Sequence, residues 1–239
     1  MTTIQNQLQT QLQSVRARVT AACQATGRAA SEVTLLAVSK TIGPEIVTQA
    51  YAAGQRAFGE NYIQEAVEKI IHLRHLPLEW HCIGPIQSNK TRLVAEHFDW
   101  VQTLDRLKIA QRLSEQRPAG RPPLQVCIQV NVDGGASKSG VSPSEALALA
   151  RSVAALPKLR LRGIMSIPEP TPDFVASCAL FARVKAVFDA LNAEGLALDT
   201  LSMGMSADME AAIMSGSTMV RVGTAIFGGR PPIKSGIAH

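Results

Sequence analysis

The chain has 239 residues, of which 46% are hydrophobic, 18% charged and 4% aromatic, so Ala, Leu, Val and Ile must build a substantial core and disorder is set aside. The formal charge of +5 comes from 24 Lys and Arg against 19 Asp and Glu. No basic block or aromatic-and-basic RNA signature accompanies it, which argues against nucleic acid and favours small anionic ligands.

The first helix is predicted over 3–26, where Ile4, Leu8, Leu12, Val15 and Val19 recur at helical spacing. This opening stretch lacks the continuous apolar run of a signal peptide, and no segment is long and apolar enough for a bilayer. A cytoplasmic protein without membrane contact is expected. Residues 33–40 (VTLLAVSK) then form a short apolar strand, and Gly43-Pro44 opens a helix running to Gly54. The same alternation recurs with strands at 57–60, 80–84, 100–104, 124–132, 161–167, 200–204 and 219–223. Eight strand-helix units in this length close more naturally into a single (β/α)8 TIM-type barrel, an α/β fold, than into an open doubly wound sheet. Residues 1–230 are needed for the barrel, leaving no second β domain, and 231–239 read as a flexible tail. Cys23, Cys82, Cys127 and Cys178 lie far apart without a CxxC pair and are expected as reduced, mostly buried thiols.

Barrel proteins carry their chemistry at the carboxyl ends of the strands. Lys40 stands at such an end, after the apolar run LLAVS, where a partly desolvated amine suits Schiff-base formation. A solvent-exposed lysine closing a strand fits the same spacing. Near the other end, Ser206 precedes a short helix with Asp208 and Glu210 early in it, and Gly223-Thr224 follows the eighth strand. These loops seven and eight are the recurrent phosphate position of this architecture, next to strand one in a closed barrel. An N-cap and an ordinary turn explain the same residues singly.

Taken together, LLAVSKT, FGENYIQEA, WHCIGPIQSNK, LSMGMSADMEAAI and GSTMVRVGTAIFG resemble the pyridoxal phosphate homeostasis protein family, in the same order and over most of the chain. The resemblance implies the fold-type III barrel shared with alanine racemase, without that enzyme's additional β domain, and pyridoxal 5′-phosphate as cofactor. It implies that Lys40 carries the Schiff base, that Ser206, Gly223 and Thr224 hold the phosphate, and that Arg221 approaches the pyridine nitrogen. Asn61 would sit near the ring's 3-oxygen or the aldimine, with helix capping as the alternative reading. His81, Ile83 and Met203 would line the cavity by position. Pro85 stands where many relatives carry a histidine, so that side chain's role does not transfer.

The implied role is a non-catalytic carrier or regulator that holds pyridoxal phosphate, limits its free concentration and releases it to dependent apoenzymes, with B6 vitamers as its small-molecule partners. A small amino-acid racemase is the alternative, but the only tyrosines, Tyr51 and Tyr62, lie in or beside early helices. A class I aldolase would need its lysine on a later strand, and LRGIMSI has none. GGASKSG at 134–140 lacks the Gly before Lys of a Walker A loop; Lys138 and Ser139 read as a solvated loop or a second vitamer site. His72 and His75 share a helix without a completing ligand set, so no metal is assigned. No long apolar stripe demands a partner, and a monomer is expected.

Overall fold

The computed structural model describes residues 3–134 and 139–228. The predicted Lys138 site and the tail at 231–239 lie outside the described residues. The apolar runs become β1 (Thr34–Val38), β2 (Ala57–Glu60), β3 (Glu79–Cys82), β4 (Trp100–Leu104), β5 (Leu124–Gln129), β6 (Leu159–Met165), β7 (Thr200–Met205) and β8 (Met219–Val222). Every strand pairs in parallel with the next, and β8 returns to β1 with Leu36 opposite Arg221. Closure leaves no sheet edge and rules out the doubly wound alternative.

A helix follows each strand, in order α2 (Pro44–Ala52), α3 (Ile63–His72), α4 (Thr91–His97), α5 (Leu107–Gln116), α6 (Pro143–Ala154), α7 (Phe174–Ala193), α8 (Met209–Met214) and α9 (Thr224–Phe227). The opening helix α1 (Thr3–Ala25) buries Leu8, Leu12, Val15 and Val19 in the same layer as Ile213, Val220 and Ile226. It ends where Gly27 takes φ +70° and the Arg28 N–H returns to the Cys23 carbonyl, a hydrogen-bonded stop that satisfies the last turn. Because α3 ends at His72, His75 lies beyond that helix, and the expected helical pair does not form. No helix among the described residues is long and apolar enough to cross a membrane.

Alternation sorts the strands into two layers. Outward residues such as Ala37, Phe58, Val101, Val126 and Val222 pack beneath the helices. Inside, Leu36, Ala57, Ile83 and Met219 form one small apolar cluster, and Trp100, Cys127 and Met165 form another. Polar side chains of His81, Gln102, Ser202 and Arg221 are also buried in the interior. Cys23, Cys82 and Cys127 are free and buried, and burial pushes the Cys82 and Cys127 thiols up to about 12, out of reach of ionisation at neutral pH.

Candidate functional site

Lys40, Ser206, Arg221, Gly223 and Thr224 line one cavity of about 370 Å³ at the carboxyl ends of β1, β7 and β8. Lys40 reaches it because Leu36 and Val38 point inward, and the alternation carries two residues past the end of β1. Its neighbours in the chain are tied down on both sides. The Ser39 hydroxyl donates to Glu60 Oε1 at 2.6 Å, and the Ser39 carbonyl accepts from Lys69 Nζ at 2.9 Å. On the far side Thr41 adopts φ 64°, a strained conformation for a β-branched residue, and its N–H donates to Glu65 at 2.8 Å.

Those anchors belong to a buried ion pair that sequence reasoning missed. Lys69 Nζ lies 2.7 Å from Glu60 and 3.2 Å from Glu65, with Lys69 and Glu60 withdrawn from water. Burial pushes the Glu60 carboxyl up, with the Lys69 ammonium pulling against it. The available signal was the Glu65-Lys69 spacing on one helical face behind an acidic strand end.

The opposite wall is built from backbone and small side chains. A Cβ added to Gly223 would lie 3.3 Å from the Val38 carbonyl, so this glycine allows β8 to close against β1. Thr224 then opens α9, whose first N–H groups have no acceptor within the helix. Ser206 does not cap α8, the alternative that its position also allowed. Asp208 takes the cap position and accepts the Met205 N–H at 2.6 Å, which leaves the Ser206 side chain on the cavity. The Ser206 carbonyl receives Arg18 at 3.1 Å, and Arg18 also grips Glu210 with two hydrogen bonds.

Met205 joins the lining because β7 bulges: Ser202 stands opposite Met219 and Met205 opposite Arg221, three steps against two. Gly204 absorbs the bulge at φ +97°, with the space for a Cβ filled by Ala212. Arg221 is buried, donating to Ser202 Oγ at 2.8 Å and to the Ser166 carbonyl at 3.0 Å. Burial pulls its guanidinium down to about 10, opposed by Asp208, so it stays charged at neutral pH.

Four predicted residues, Met203, His81, Asn61 and Ile83, sit elsewhere. Met203 does not line the cavity: it faces outward into the layer formed with Phe181, Val184 and Ala212. His81 is inside the barrel and fully buried, but it stacks on Trp100 and bonds Glu79 at 2.8 Å, toward the amino end of the strands. Asn61 lines a second cavity of about 420 Å³, with Ile83, Pro85, Thr103, Arg106 and Gln129. It does not cap α3, where Tyr62 holds the cap position. Continuing the Val38–Gly59 register by two residues puts Asn61 beside Lys40, and its buried Oδ1 has no hydrogen-bond donor. Among the described residues no group of three or more His, Cys, Asp and Glu is placed to hold a metal ion.

The family described as "Alanine racemase, N-terminal domain" matches residues 11–231. A curated relative from Pseudomonas aeruginosa, named pyridoxal phosphate homeostasis protein, is 62% identical over 90% of this chain and 93% of its own length. Among solved structures, PipY of Synechococcus elongatus with PLP bound superposes with a TM-score of 0.81 at 36% identity, covering 93% of this chain and all of that one. An alanine racemase of Clostridium difficile shares only the fold, at 16% identity and a TM-score of 0.71, with 95% of this chain covering 57% of the enzyme. The chain belongs to the alanine racemase N-terminal domain family and, within it, to the pyridoxal phosphate homeostasis proteins.

Proposed function

We propose that this protein binds pyridoxal 5′-phosphate as a Schiff base on Lys40 and serves vitamin B6 homeostasis in the cytoplasm as a non-catalytic carrier, releasing cofactor to dependent apoenzymes. The observation that carries the reading is the convergence of one lysine amine, one buried arginine and an anion-compatible wall on a single cavity. The 36% identical PipY, with PLP bound, supports it. When bound, the cofactor would supply an electrophilic aldehyde carbon, and Lys40 is the cavity's amine that would hold it covalently.

The remaining roles follow from the donors present. The Ser206 and Thr224 hydroxyls and the N–H groups at the start of α9 face the dianionic phosphate, and Gly223 lets it approach the main chain. Arg221 donates toward the pyridine nitrogen. An arginine surrenders its proton too reluctantly to make the ring a strong electron sink, which favours storage over carbanion chemistry. Asn61, beside Lys40 by register, has a buried Oδ1 without a donor and would be the side chain to accept a hydrogen bond from the bound cofactor.

A racemase needs an acid-base group on the face of the cofactor opposite the lysine. Tyr51 lies under the Arg56 guanidinium at 4.0 Å, and Tyr62 is exposed at the start of α3; neither lines the cavity. Borohydride reduction of cofactor-loaded protein followed by peptide mapping should place the label on Lys40, and Lys40→Ala should lose the label while keeping its fold by circular dichroism. A label retained in that variant would refute the assignment. Turnover of L-alanine or another amino acid by the wild type would refute the carrier role.

A further inference from the structure

The barrel interior contains an unbroken file of hydrogen bonds from the cavity to the opposite end of the strands. Arg221 Nη1 donates to Ser202 Oγ at 2.8 Å, and Ser202 Oγ donates to Gln102 Oε1 at 2.6 Å. Gln102 Nε2 meets His81 Nδ1 at 2.9 Å, and His81 Nε2 meets Glu79 Oε1 at 2.8 Å. The four residues from Arg221 to His81 are buried, whereas the Glu79 side chain is 47% exposed at the start of β3.

Donor and acceptor capacities fix the direction of this file from both ends. A guanidinium can only donate and an ionised carboxylate can only accept. Ser202 therefore accepts from Arg221 and must pass its single hydrogen to Gln102 Oε1. The amide nitrogen then faces His81, so Nδ1 accepts, and the ring proton sits on Nε2 toward Glu79. Turning the Gln102 amide over would leave the Ser202 hydroxyl hydrogen without this acceptor. It would also require a proton on His81 Nδ1, exposing a bare Nε2 to the Glu79 carboxylate unless the buried ring became a cation. Burial disfavours that cation, pulling the imidazole below its usual range, with Glu79 and Asp99 opposing. The geometry thus has one consistent state.

We propose that Gln102 is a positioning residue. Held in one orientation by His81 and Glu79, it commits Ser202 to accept from Arg221 and thereby aims the guanidinium at the cofactor ring. The proposal rests on the cofactor reading given above. Gln102 hydrogen-bonds Ser202, His81 and, through its amide nitrogen at 3.1 Å, Met219 Sδ, none of which lines the cavity, while a second bond, from Arg221 Nη2 to the Ser166 carbonyl, fixes the other arm of the guanidinium. With both arms held, the guanidinium plane is set before any ligand arrives, and a ligand loses less freedom in meeting it.

The test uses full-length protein carrying ¹⁵N-labelled histidine, with and without added pyridoxal 5′-phosphate. In the wild type His81 should show the neutral tautomer protonated on Nε2. In Gln102→Glu, whose carboxylate can only accept, the Nδ1 resonance should move to that of a protonated nitrogen. In Gln102→Leu the cofactor dissociation constant should rise about tenfold, the scale of one misdirected charge-assisted bond, and the visible band of the bound cofactor should shift. Glu79→Leu should move both readouts the same way, and Glu79→Gln, which still offers an acceptor, should restore them.

A lowered melting temperature in Gln102→Leu with an unchanged band and affinity would reduce the file to structural packing and overturn the proposal. So would a wild-type His81 protonated on Nδ1. If Gln102→Leu does not fold, the exposed-end pair Glu79→Leu and Glu79→Gln decides by the same readouts. If the wild type binds no cofactor, the carrier reading fails, and the tautomers of the ligand-free proteins still decide the direction of the file.

Discussion

Two cavities of similar size share the carboxyl end of this barrel, and their chemistry differs. The one over β1, β7 and β8 combines the Lys40 amine with a buried guanidinium and a wall of small residues. The one over β2 to β6 is lined by Ile83, Ile86 and Ile167 beside Gln129 and Arg106, an arginine largely exposed and close to its own neighbour Asp105. Volume therefore does not select the site. What distinguishes the first cavity is that its charged groups are held from behind: Arg221 by Ser202 and Ser166, and the flanks of Lys40 by Glu60, Lys69 and Glu65.

Removing that support should have the largest effect. Lys69→Ala leaves Glu60 buried without its counter-ion, at a cost of about 3–5 kcal/mol, and frees Ser39 and Thr41 on either side of Lys40. Chemical denaturation and the yield of borohydride-trapped cofactor should fall together. Lost stability with full trapping would mean that the ion pair supports the barrel and not the lysine.

A smaller effect should come from the second cavity. A Cβ at Gly84 would fall 2.1 Å from the Asn61 carbonyl, so Gly84→Ala must push apart the ends of β2 and β3, at about 1–3 kcal/mol. Because Asn61 is assigned to the cofactor through its place beside Lys40, the variant's melting temperature should drop and its cofactor band should shift. An unchanged band would confine Asn61 to the second cavity.

The mildest test is acid. Burial pushes the Glu210 carboxyl up, but the hydrogen bonds and charge of Arg18 outweigh it and hold it below the ordinary value of 4.5. A depressed carboxylate contributes stability above its unfolded value, and that contribution is lost as pH falls through the folded value. Between neutral pH and about pH 3, the wild type should lose this increment and Arg18→Met should not. Cofactor affinity should weaken in the same range if the Arg18 grip on the Ser206 loop matters. Parallel acid profiles for the two proteins would remove Arg18 from the account.

Much of the fold was legible because parallel strands buried on both faces read as short apolar runs, as in VTLLAVS and LQVCIQV. The same property hid the facing of residues within them. In TLSMGM both layers are buried, so nothing local tells that Ser202 points in and Met203 out. Lys40, Ser206, Gly223 and Thr224 stood out in the sequence because they sit at strand ends, whereas Arg221, inside β8, entered only through the family resemblance; the five line one cavity. His81 was placed in the interior but not at its amino end, since direction along the barrel axis depends on partners in β4 and β7 that lie far off in sequence.

The bulge in β7 settles a matter of parity. Ser202 belongs to the buried file and Met205 to the cavity, yet they are three residues apart, an odd interval that an ordinary strand assigns to opposite faces. The extra residue is a half-step that lets one strand serve the interior with its first half and the ligand with its second. Without that half-step, at unchanged length, strict alternation would turn Met205 toward the helices and carry Ser206 out of phase with Thr224, whereas deleting the one extra residue would keep Met205 on the Ser202 face. Length, here, is information as much as identity is.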